Sequence, residues 1–371
     1  MTDIPSSARL YFRPTGFVDA PFDLDGQVLR LAGGMLWFSA FDVIVVDGGQ
    51  RLAPRLVTVA ALDNFLEALS DDQAEDARRS IERVTASREP LQLGERILRM
   101  DEPRIAGILN VTPDSFSDGG KHSEDPQAAA DAGFAMSAQG AAMIDVGGES
   151  TRPGAADVWE GDELERVLPV VERLAASGVA LSIDTRKASV MEAALAAGAA
   201  IVNDVSALRF DDRALGVVAD AGCPVIIMHH AGKGHELHAD PNYRDPLIEV
   251  YDWFEDRISD LEDAGIGRDR IVVDPGIGFG KALQHNLALI NGLSLFHALG
   301  CAIMLGASRK RLIGALSNEA PVEQRLGGSV ALTVLGANQG VQLLRVHDVP
   351  ESLQALHIWR GMRDAALMPI S

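Results

Sequence analysis

Residues 180–204, ALSIDTRKASVMEAALAAGAAIVND, contain the pattern that decides the fold of this chain. A short apolar run ends at Asp184, a segment with helical periodicity ends before Gly198, and a second apolar run ends at Asn203. Glycine directly after a periodic segment is typical of a helix C-cap. The stretch therefore predicts a strand–helix–strand unit with polar residues at the carboxyl end of each strand.

The same pattern extends in both directions from this unit. Eight short apolar runs, each followed by polar residues, occupy positions 105–109, 143–146, 180–183, 201–202, 225–228, 271–273, 302–305 and 343–344. The segments with helical periodicity between them include 163–176, 188–197, 247–263 and 287–299. Eight continuous apolar strands that alternate with helices over about 250 residues predict an α/β fold, the (β/α)8 TIM barrel. A doubly wound open sheet is the alternative, because the number of strands does not establish that the sheet closes.

A small α+β domain, residues 1–90, is predicted to precede the barrel, which with an N-terminal hairpin occupies residues 91–371. Apolar-rich runs predict strands at 10–12, 28–31 and 43–46. Segments with helical periodicity predict helices at 60–69 and 72–86. Residues 1–100 contain no Lys, His or Cys, so catalysis there would have to rely on carboxylates or Arg. Catalysis is therefore predicted to lie after residue 100, and the sequence assigns no role to the N-terminal domain.

The net charge excludes some classes of partner. Acidic residues outnumber basic residues by 53 to 33, which gives a formal net charge of -20. Nucleic acids and anionic membranes need a basic surface, so neither is expected as a partner. No apolar run approaches the roughly 18 residues of a membrane span, and the first residues do not resemble a signal peptide. Two cysteines, Cys223 and Cys301, are too few for a disulfide framework. A soluble, cytoplasmic protein is expected.

Two polar loops follow the first two predicted barrel strands. Residues 110–121, NVTPDSFSDGGK, combine an amide, the carboxylates of Asp114 and Asp118 and several hydroxyls, a composition that suits a hard metal ion and phosphate. A loop made only of turn-forming residues would have a similar composition. Residues 147–154, GGESTRPG, offer hydroxyls and one Arg, which is typical of an anion-binding lid or of a solvated loop.

Further polar residues end the later strands. Asp184, Asn203 and Asp274 could cap helices, but around one cavity they would also suit a flat heterocycle rich in N–H groups. The stretch 276–281, GIGFGK, lacks the spacing of a dinucleotide motif, so its glycines are expected to allow close backbone approach to a ligand. Cations at 308–310 and 345–347 end the last two strands, where barrels often bind phosphate.

Four histidines follow the fifth predicted strand, at His229, His230, His235 and His238. Their spacing matches no established zinc motif. A polar loop is therefore expected here rather than a metal site.

Taken together, these motifs resemble those of the dihydropteroate synthase family. The matching segments occur in the family's order, at 110–120, 145–154, 274–281, 308–310 and 345–349. Residues 91–100 are similar to the short hairpin that closes the bottom of the family's barrel. The resemblance runs from about residue 90 to the C-terminus, roughly three quarters of the chain.

The resemblance implies condensation of 6-hydroxymethyl-7,8-dihydropterin diphosphate with 4-aminobenzoate, which yields 7,8-dihydropteroate and diphosphate. It assigns pterin binding to Asp184, Asn203, Asp274 and Lys310, and it makes Asn110 a ligand of Mg²⁺. It places around the diphosphate and aminobenzoate Thr151, Arg152, Pro153, Phe279, Arg311, Arg345 and His347. The residues expected to act in catalysis are Asp114, Asp118, Lys310, Arg345 and His347. Sulfonamide sensitivity and a homodimer formed through barrel helices are also implied.

The chain departs from the family in two places. After the fifth strand the family usually carries Met-His-Met and then a Gly, Pro and Met-Gln pattern, whereas residues 229–235 read HHAGKGH, so one wall of the pterin pocket is expected to differ. The other departure is the N-terminal extension of about 90 residues, which compact members of the family lack.

Two alternatives stay open. A pterin-dependent methyltransferase that serves a corrinoid protein would share the pterin carboxylates but would need no diphosphate clamp. A catalytically silent pterin-binding paralogue should have lost loop residues. Because Asn110, 308–310 and 345–347 are intact and both loops are complete, the synthase is the favoured prediction.

Overall fold

The computed structural model describes residues 4–112, 125–152, 154–232, 236–239 and 242–368. In its N-terminal part, β3 forms the centre of an antiparallel sheet and pairs with the other four strands. The strands are β1 (Arg9–Val18), β2 (Leu29–Arg30), β3 (Trp37–Asp47), β4 (Gln50–Arg51) and β5 (Arg55–Thr58). A short 3₁₀ turn and two helices follow, α1 (Leu62–Glu67) and α2 (Asp71–Thr85). Ser70 begins α2 with a capping box, since its side chain and that of Gln73 bond each other's backbone N–H.

A two-stranded hairpin, β6 (Leu91–Leu93) with β7 (Arg96–Leu98), leads into a closed parallel barrel. Its strands are β8 (Arg104–Asn110), β9 (Met143–Gly147), β10 (Leu181–Asp184), β11 (Ile201–Asp204), β12 (Val225–Met228), β13 (Ile271–Asp274), β14 (Ala302–Leu305) and β15 (Leu343–Val346). Leu343 and Leu344 of β15 pair with Arg104 and Ile105 of β8, which closes the sheet. The prediction of a TIM barrel is confirmed, and the open sheet is excluded.

Helices on the outside of the barrel connect these strands. Their bounds are α3 (Pro126–Ala138), α4 (Glu160–Ala176), α5 (Ala188–Ala196), α6 (Ala214–Ala221), α7 (Pro246–Asp263), α8 (Leu283–Asn291), α9 (Arg311–Leu316), α10 (Leu326–Asn338) and α11 (Val349–Ala366). Gly222, which follows α6, adopts φ +64°, as expected for a glycine C-cap. Within the described part of the chain, no helix combines the length and the apolarity that crossing a bilayer requires.

The prediction of one continuous helical segment over residues 287–299 is wrong. The segment 287–299 divides at Gly292 into the end of α8 and a 3₁₀ helix, Leu293–Leu299. A Cβ at Gly292 would lie 2.5 Å from the side chain of Leu247, so only glycine allows this approach of α8 to α7. The 3₁₀ helix is buried along its whole length, and Ser294 Oγ donates to the carbonyl of Pro14 in β1 at 3.0 Å. Burial against the N-terminal sheet, which local periodicity does not encode, decides its conformation.

The N-terminal sheet and the barrel share one hydrophobic core. Phe12 and Phe41 of the sheet belong to the same buried cluster as Phe254 and Phe296 of the barrel. At the edge of this contact, Tyr11 Oη donates to Asp252 of α7 at 2.9 Å. The two parts are therefore held together by packing as well as by polar contacts.

Arg88 lies where the N-terminal part meets the barrel. Its guanidinium donates to four main-chain carbonyls, those of His297 (2.9 Å), Cys301 (3.0 Å), Arg83 (2.9 Å) and Ala86 (3.0 Å). Burial lowers the pKa of Arg88 to about 10. The side chain thus joins the end of α2 to the start of β14.

Replacing Arg88 with alanine is expected to lower the free energy of unfolding by about 2–4 kcal/mol, because buried carbonyls lose a charged donor. Urea unfolding followed by circular dichroism would measure the change. Arg79→Ala is the matched control, since Arg79 is half exposed and pairs with its α2 neighbours Glu75 and Asp76; its effect should stay below about 0.5 kcal/mol. Equal effects of the two variants would contradict the proposed role of Arg88.

Candidate active site

The polar residues that end the barrel strands lie in one layer at the carboxyl end of the barrel. The parallel register pairs Gly147 of β9 with Asn110 on one side and with Asp184 on the other. Asp184 in turn pairs with Asn203 of β11, and Asp274 ends β13 two strands further around the barrel. Residues far apart in sequence thereby meet at the position where TIM barrels carry their active sites.

Asp145 of β9 is the centre of this layer, although no sequence motif singles it out as a site residue. Its side chain is 1% exposed and accepts hydrogen bonds from Arg345 Nε at 2.5 Å, from Asn203 Nδ2 at 3.0 Å and from Ser182 Oγ. The available signal was a carboxylate inside an otherwise apolar strand, where an unpaired charge would be strongly unfavourable. Asp145 therefore orients both the amide of Asn203 and the guanidinium of Arg345.

Arg345 of β15 is held by two carboxylates. Besides its bond to Asp145, its Nη2 donates to Asp184 Oδ2 at 2.7 Å. Burial opposes the charge of Arg345, but these two carboxylates raise its pKa further above the usual value. Burial raises the pKa of Asp184 to about 7, with Arg345 opposing the rise and Asp145 adding to it. The arrangement leaves Arg345 charged and fixed in place.

A second group of side chains surrounds the loop after β13. Asp274 Oδ1 accepts from the N–H of Gly276 at 2.8 Å, and burial raises the pKa of Asp274 although Lys310 opposes the rise. Lys310 Nζ donates to the carbonyl of Ile277 and lies 4.5 Å from the centroid of the Phe279 ring. Burial lowers the pKa of Lys310 to about 8. Asp274, Lys310 and Phe279 thus form one unit.

Lys281 holds this loop through hydrogen bonds to main-chain carbonyls, and it was not among the predicted site residues. Its Nζ donates to the carbonyls of His229 and Gly276 at 3.0 Å each, and of Phe279 at 3.1 Å. Burial lowers the pKa of Lys281 to about 7. Gly276 has φ +69°, and a Cβ there would lie 1.9 Å from the carbonyl oxygen of His229. The close approach at this glycine is therefore to the protein backbone and not, as the glycine-rich sequence had predicted, to a ligand.

Two other glycines keep the centre of the site open. A Cβ at Gly147 would occupy the space between Asn110 Oδ1, at 3.7 Å, and Asp184 Oδ2, at 3.6 Å. A Cβ at Gly306, directly after β14, would lie 3.2 Å from Asp274 Oδ2. Any larger residue at these positions would project into the space that the polar side chains surround.

The loop after β9 is anchored by buried ion pairs. Glu149 pairs with Arg186 at 2.9 Å and with Lys187 at 3.2 Å, and Lys187 also contacts Glu163. Burial raises the pKa of Glu149, but the N–H of Val158 and the two cations more than offset this effect and lower it. Farther along the loop, Thr151 is half-buried and Arg152 is exposed. Three predicted site residues, Asp114, Asp118 and Pro153, lie outside the described residues.

His347 and Arg311 occupy different positions after the last two strands. His347 Nδ1 lies 3.0 Å from Ser308 Oγ, and the backbone N–H of His347 donates to the same oxygen at 3.2 Å. Burial and the nearby Arg345 lower the pKa of His347 to about 4, so the ring is neutral at neutral pH and can donate only as an uncharged group. Arg311 is exposed at the first position of α9.

The loop after β12 reaches this site. His229 and His230 are buried, whereas His238 is half-buried and stacks on Phe279. His235 lies outside the described part of the chain. Within that part, no three His, Cys, Asp or Glu side chains are grouped in a way that could hold a metal ion.

Comparison with known proteins identifies relatives of this chain. The family model of pterin binding enzymes matches residues 106–347. The dihydropteroate synthase of Escherichia coli (strain K12) is 45% identical over 262 residues, which cover 70% of this chain and 92% of the relative. Dihydropteroate synthase of Xanthomonas albilineans with 4-aminobenzoic acid aligns with a TM-score of 0.70 and 45% identity over 76% of this chain and 100% of the solved one. The Yersinia pestis dihydropteroate synthase, solved in a sulfonamide drug complex, aligns with a TM-score of 0.70 and 42% identity. The alignment covers 74% of this chain and 99% of the solved one.

Proposed function

Because this chain belongs to the dihydropteroate synthases, within the pterin binding enzyme family, we propose that the residues around Asp145 and Asp274 form its catalytic site. The chain is a transferase that condenses 6-hydroxymethyl-7,8-dihydropterin diphosphate with 4-aminobenzoate to 7,8-dihydropteroate and diphosphate. The observation that carries the proposed site is the polar layer in which Asp145 holds Arg345 and Asn203, at the carboxyl end of the barrel.

The pterin ring is proposed to bind Asp184, Asn203, Asp274 and Lys310. The amide nitrogen of Asn203 is used by Asp145, so its oxygen is left as an acceptor for an N–H of the heterocycle. The two aspartates supply further acceptors, and Lys310 supplies a donor. This complementarity suits a flat ring that carries N–H groups on one edge and acceptor atoms on another.

The diphosphate is proposed to bind between Asn110 on one side and Arg345 and His347 on the other. Arg345 uses Nε and Nη2 on the two aspartates, and its Nη1 can donate to an oxygen of the leaving group. The neutral His347 would add an uncharged hydrogen bond. Thr151 is a further proposed contact of the diphosphate. For the second substrate, the proposed contacts are Arg152 and Pro153 of the same loop, with Phe279 and Arg311.

The donor set fits Mg²⁺ only together with the substrate. Asn110 offers one amide oxygen beside the gap that Gly147 leaves open, and no group of three ligands exists among the described side chains. Mg²⁺ in proteins is commonly held by one or two side chains together with phosphate oxygens and water. We therefore propose that Asn110 holds an ion that arrives with the diphosphate. When bound, the ion would neutralise charge on the leaving group.

In the reaction, the bond between the pterin methylene carbon and the diphosphate oxygen breaks, and the electron pair leaves with the diphosphate. The amine nitrogen of 4-aminobenzoate forms the new bond to that carbon and then loses a proton to solvent or to the diphosphate. Arg345 would stabilise the departing negative charge, and Asp114 or Asp118 would stabilise positive charge at the carbon. The aromatic amine is already a nucleophile, so its positioning by Phe279 and the loop at Thr151 matters more than a strong base.

The test is diphosphate release by the purified protein with the pterin diphosphate and Mg²⁺, with and without 4-aminobenzoate. Release that depends on aminobenzoate and is matched by dihydropteroate formation is the expected result. Pterin binding without turnover would instead favour the silent paralogue, and methyl transfer to a corrinoid protein would favour the methyltransferase.

Removal of Mg²⁺ with a chelator is expected to abolish turnover, and Asn110→Ala should raise the Mg²⁺ concentration for half-maximal rate by about tenfold or more, through loss of a ligand. Titration of initial rates with Mg²⁺ measures both effects. Asn64→Ala is the control, because Asn64 is exposed on α1 in the N-terminal part. Identical Mg²⁺ curves for the wild type and Asn110→Ala would refute the ligand assignment.

The pH profile of kcat/KM is expected to be bell-shaped. Asp184, whose pKa is raised to about 7, must be ionised to accept N–H groups, so the rate should fall as the pH drops below about 7. Lys310, whose pKa is lowered to about 8, must be protonated, so the rate should fall as the pH rises above about 8. Asp184→Asn should remove the acidic limb, and Lys310→Arg should move the basic limb beyond about pH 10. A flat profile between about pH 6 and 9 would contradict both assignments.

Three further properties are proposed. Sulfonamides should compete with 4-aminobenzoate, since the related Yersinia enzyme has been solved in complex with such a drug.

A homodimer through α10 and α11 is supported by exposed apolar side chains on these helices, Leu335, Ile358 and Met362. Light scattering during gel filtration would measure the mass in solution. The cytoplasm remains the predicted location.

A further inference from the structure

We infer that His238 is a positioning residue that assembles the aminobenzoate side of the active site. It lies between β12 and α7, in the stretch of the chain that departs from the family pattern. The inference rests on the proposed function, because Phe279 and the loop that continues from Thr151 are the proposed walls of the aminobenzoate site, and His238 contacts both.

The contacts of His238 join two different loops. Its imidazole stacks on Phe279 of the β13 loop, with the ring centroids 5.4 Å apart and the planes 10° from parallel. Its Nε2 lies 2.8 Å from the carbonyl oxygen of Thr151 in the β9 loop. A carbonyl can only accept, so Nε2 must carry a proton and donate. One side chain thus fixes an aromatic wall and the backbone beside it.

The neighbouring residues hold His238 and Phe279 in place. Leu237, directly before His238, is buried in a small cluster with Val205 and Met228, against which Phe279 packs. Lys310 Nζ lies over the same Phe279 ring at 4.5 Å, and the carbonyl of Phe279 accepts from Lys281. The β13 loop therefore has contacts of its own at Phe279, and His238 connects Thr151 to it.

It follows that His238 acts on one substrate more than on the other. Of the proposed pterin residues, Asp184, Asn203 and Asp274 are held by Asp145, Arg345 and the backbone of Gly276. Lys310 shares Phe279 with His238, but its Nζ is held separately by the carbonyl of Ile277. Loss of His238 should loosen the loop at Thr151 and the face of Phe279 that the aminobenzoate ring meets. The KM for 4-aminobenzoate should rise, and the KM for the pterin diphosphate should stay near its wild-type value.

Three variants separate the two contacts. His238→Gln retains an N–H donor for Thr151 without an aromatic ring, His238→Phe retains stacking without a donor, and His238→Ala lacks both. We expect His238→Ala to raise the KM for 4-aminobenzoate about tenfold and each conservative variant to raise it about threefold, in line with the loss of a hydrogen bond, a stacked pair or both. The KM for the pterin diphosphate should change less than about twofold. His357→Ala, at an exposed position of α11, is the matched control.

The outcomes are distinguishable. In one result the wild type is active and the three variants keep the wild-type KM for 4-aminobenzoate; in another they shift the KM values of both substrates equally. Either result would overturn the role of His238 and leave the proposed function intact. A wild type without aminobenzoate-dependent turnover would overturn the proposed function and this inference with it. If thermal unfolding shows that His238→Ala is destabilised, the Gln and Phe variants decide, because partial rescue by both is expected only of a positioning role.

Discussion

Lys310→Ala is expected to lower kcat/KM by about 10²–10³-fold, the usual effect of removing one charged donor from a preorganised site. Lys310 combines three contacts: it donates to the carbonyl of Ile277, lies over Phe279 and interacts electrostatically with Asp274. It therefore connects the proposed pterin carboxylate with the proposed aminobenzoate wall. Steady-state kinetics with both substrates would measure the loss.

An arginine at position 310 should restore only part of the kcat/KM that is lost in Lys310→Ala. A Cβ at Gly278 would lie 3.2 Å from Lys310 Cδ, so the aliphatic stem passes close to the backbone of the β13 loop and leaves little room for a broad guanidinium. We expect Lys310→Arg to recover no more than about tenfold over alanine. Arg213→Ala, which removes an exposed cation paired with Glu192, should leave the rate unchanged. A rate for Lys310→Ala within about threefold of the wild type would contradict its assignment.

Asp145→Ala is expected to impair both activity and stability. Arg345 would lose one of its two carboxylates, and the amide of Asn203 would lose its acceptor. Breaking a buried ion pair by removing one partner typically costs about 3–5 kcal/mol of folding free energy. Because the proposed pterin and diphosphate contacts both depend on this carboxylate, kcat/KM should fall at least about 10³-fold.

The Asp145→Asn variant separates the contribution of the negative charge of Asp145 from that of its size and shape. The asparagine oxygen could still accept from Arg345, but its amide would then face hydrogen-bond partners that suit a carboxylate. We expect a smaller loss of stability, about 1–3 kcal/mol, with kcat/KM about 10²-fold below the wild type. Urea unfolding and kinetics should be measured on the same preparations, with Asp131→Ala on the exposed face of α3 as the control. Wild-type stability and activity in Asp145→Ala would exclude its central role.

Much of the barrel could be predicted from local sequence. The apolar runs at 225–228 and 302–305 are strands with those same bounds, because a short continuous apolar run is the local signal of a parallel strand buried on both faces. Polar residues at the ends of such runs, among them Asn110, Asp184 and Asp274, were recognised for the same reason. The prediction of one helix over 287–299 was wrong because its second half packs against the N-terminal sheet.

The candidate site was only partly predictable. Asp145 lies inside a strand, so its polarity does not mark a strand end, and Lys281 appears in the sequence simply as the last residue of a glycine-rich loop. Their roles depend on carbonyls and cations that the fold brings to them. Lys281 reaches the carbonyl of His229, which is 52 residues away in the chain. Local motifs carry no information about such partners.

The sequence by itself determined an α/β fold of eight strands that alternate with helices, and the loops that carry the chemistry, since these follow from local alternation of apolar and polar residues. Closure of the sheet into a barrel, rather than a doubly wound open sheet, was decided by the tertiary structure. The tertiary structure decided how the residues act together: Arg345 is held by Asp145, 200 positions earlier, and His238 links Thr151 to Phe279. It also joined the N-terminal sheet to the barrel through a shared core and Arg88. The physical reason is that burial and hydrogen bonding depend on neighbours in space, and closure of the barrel selects those neighbours from distant parts of the chain.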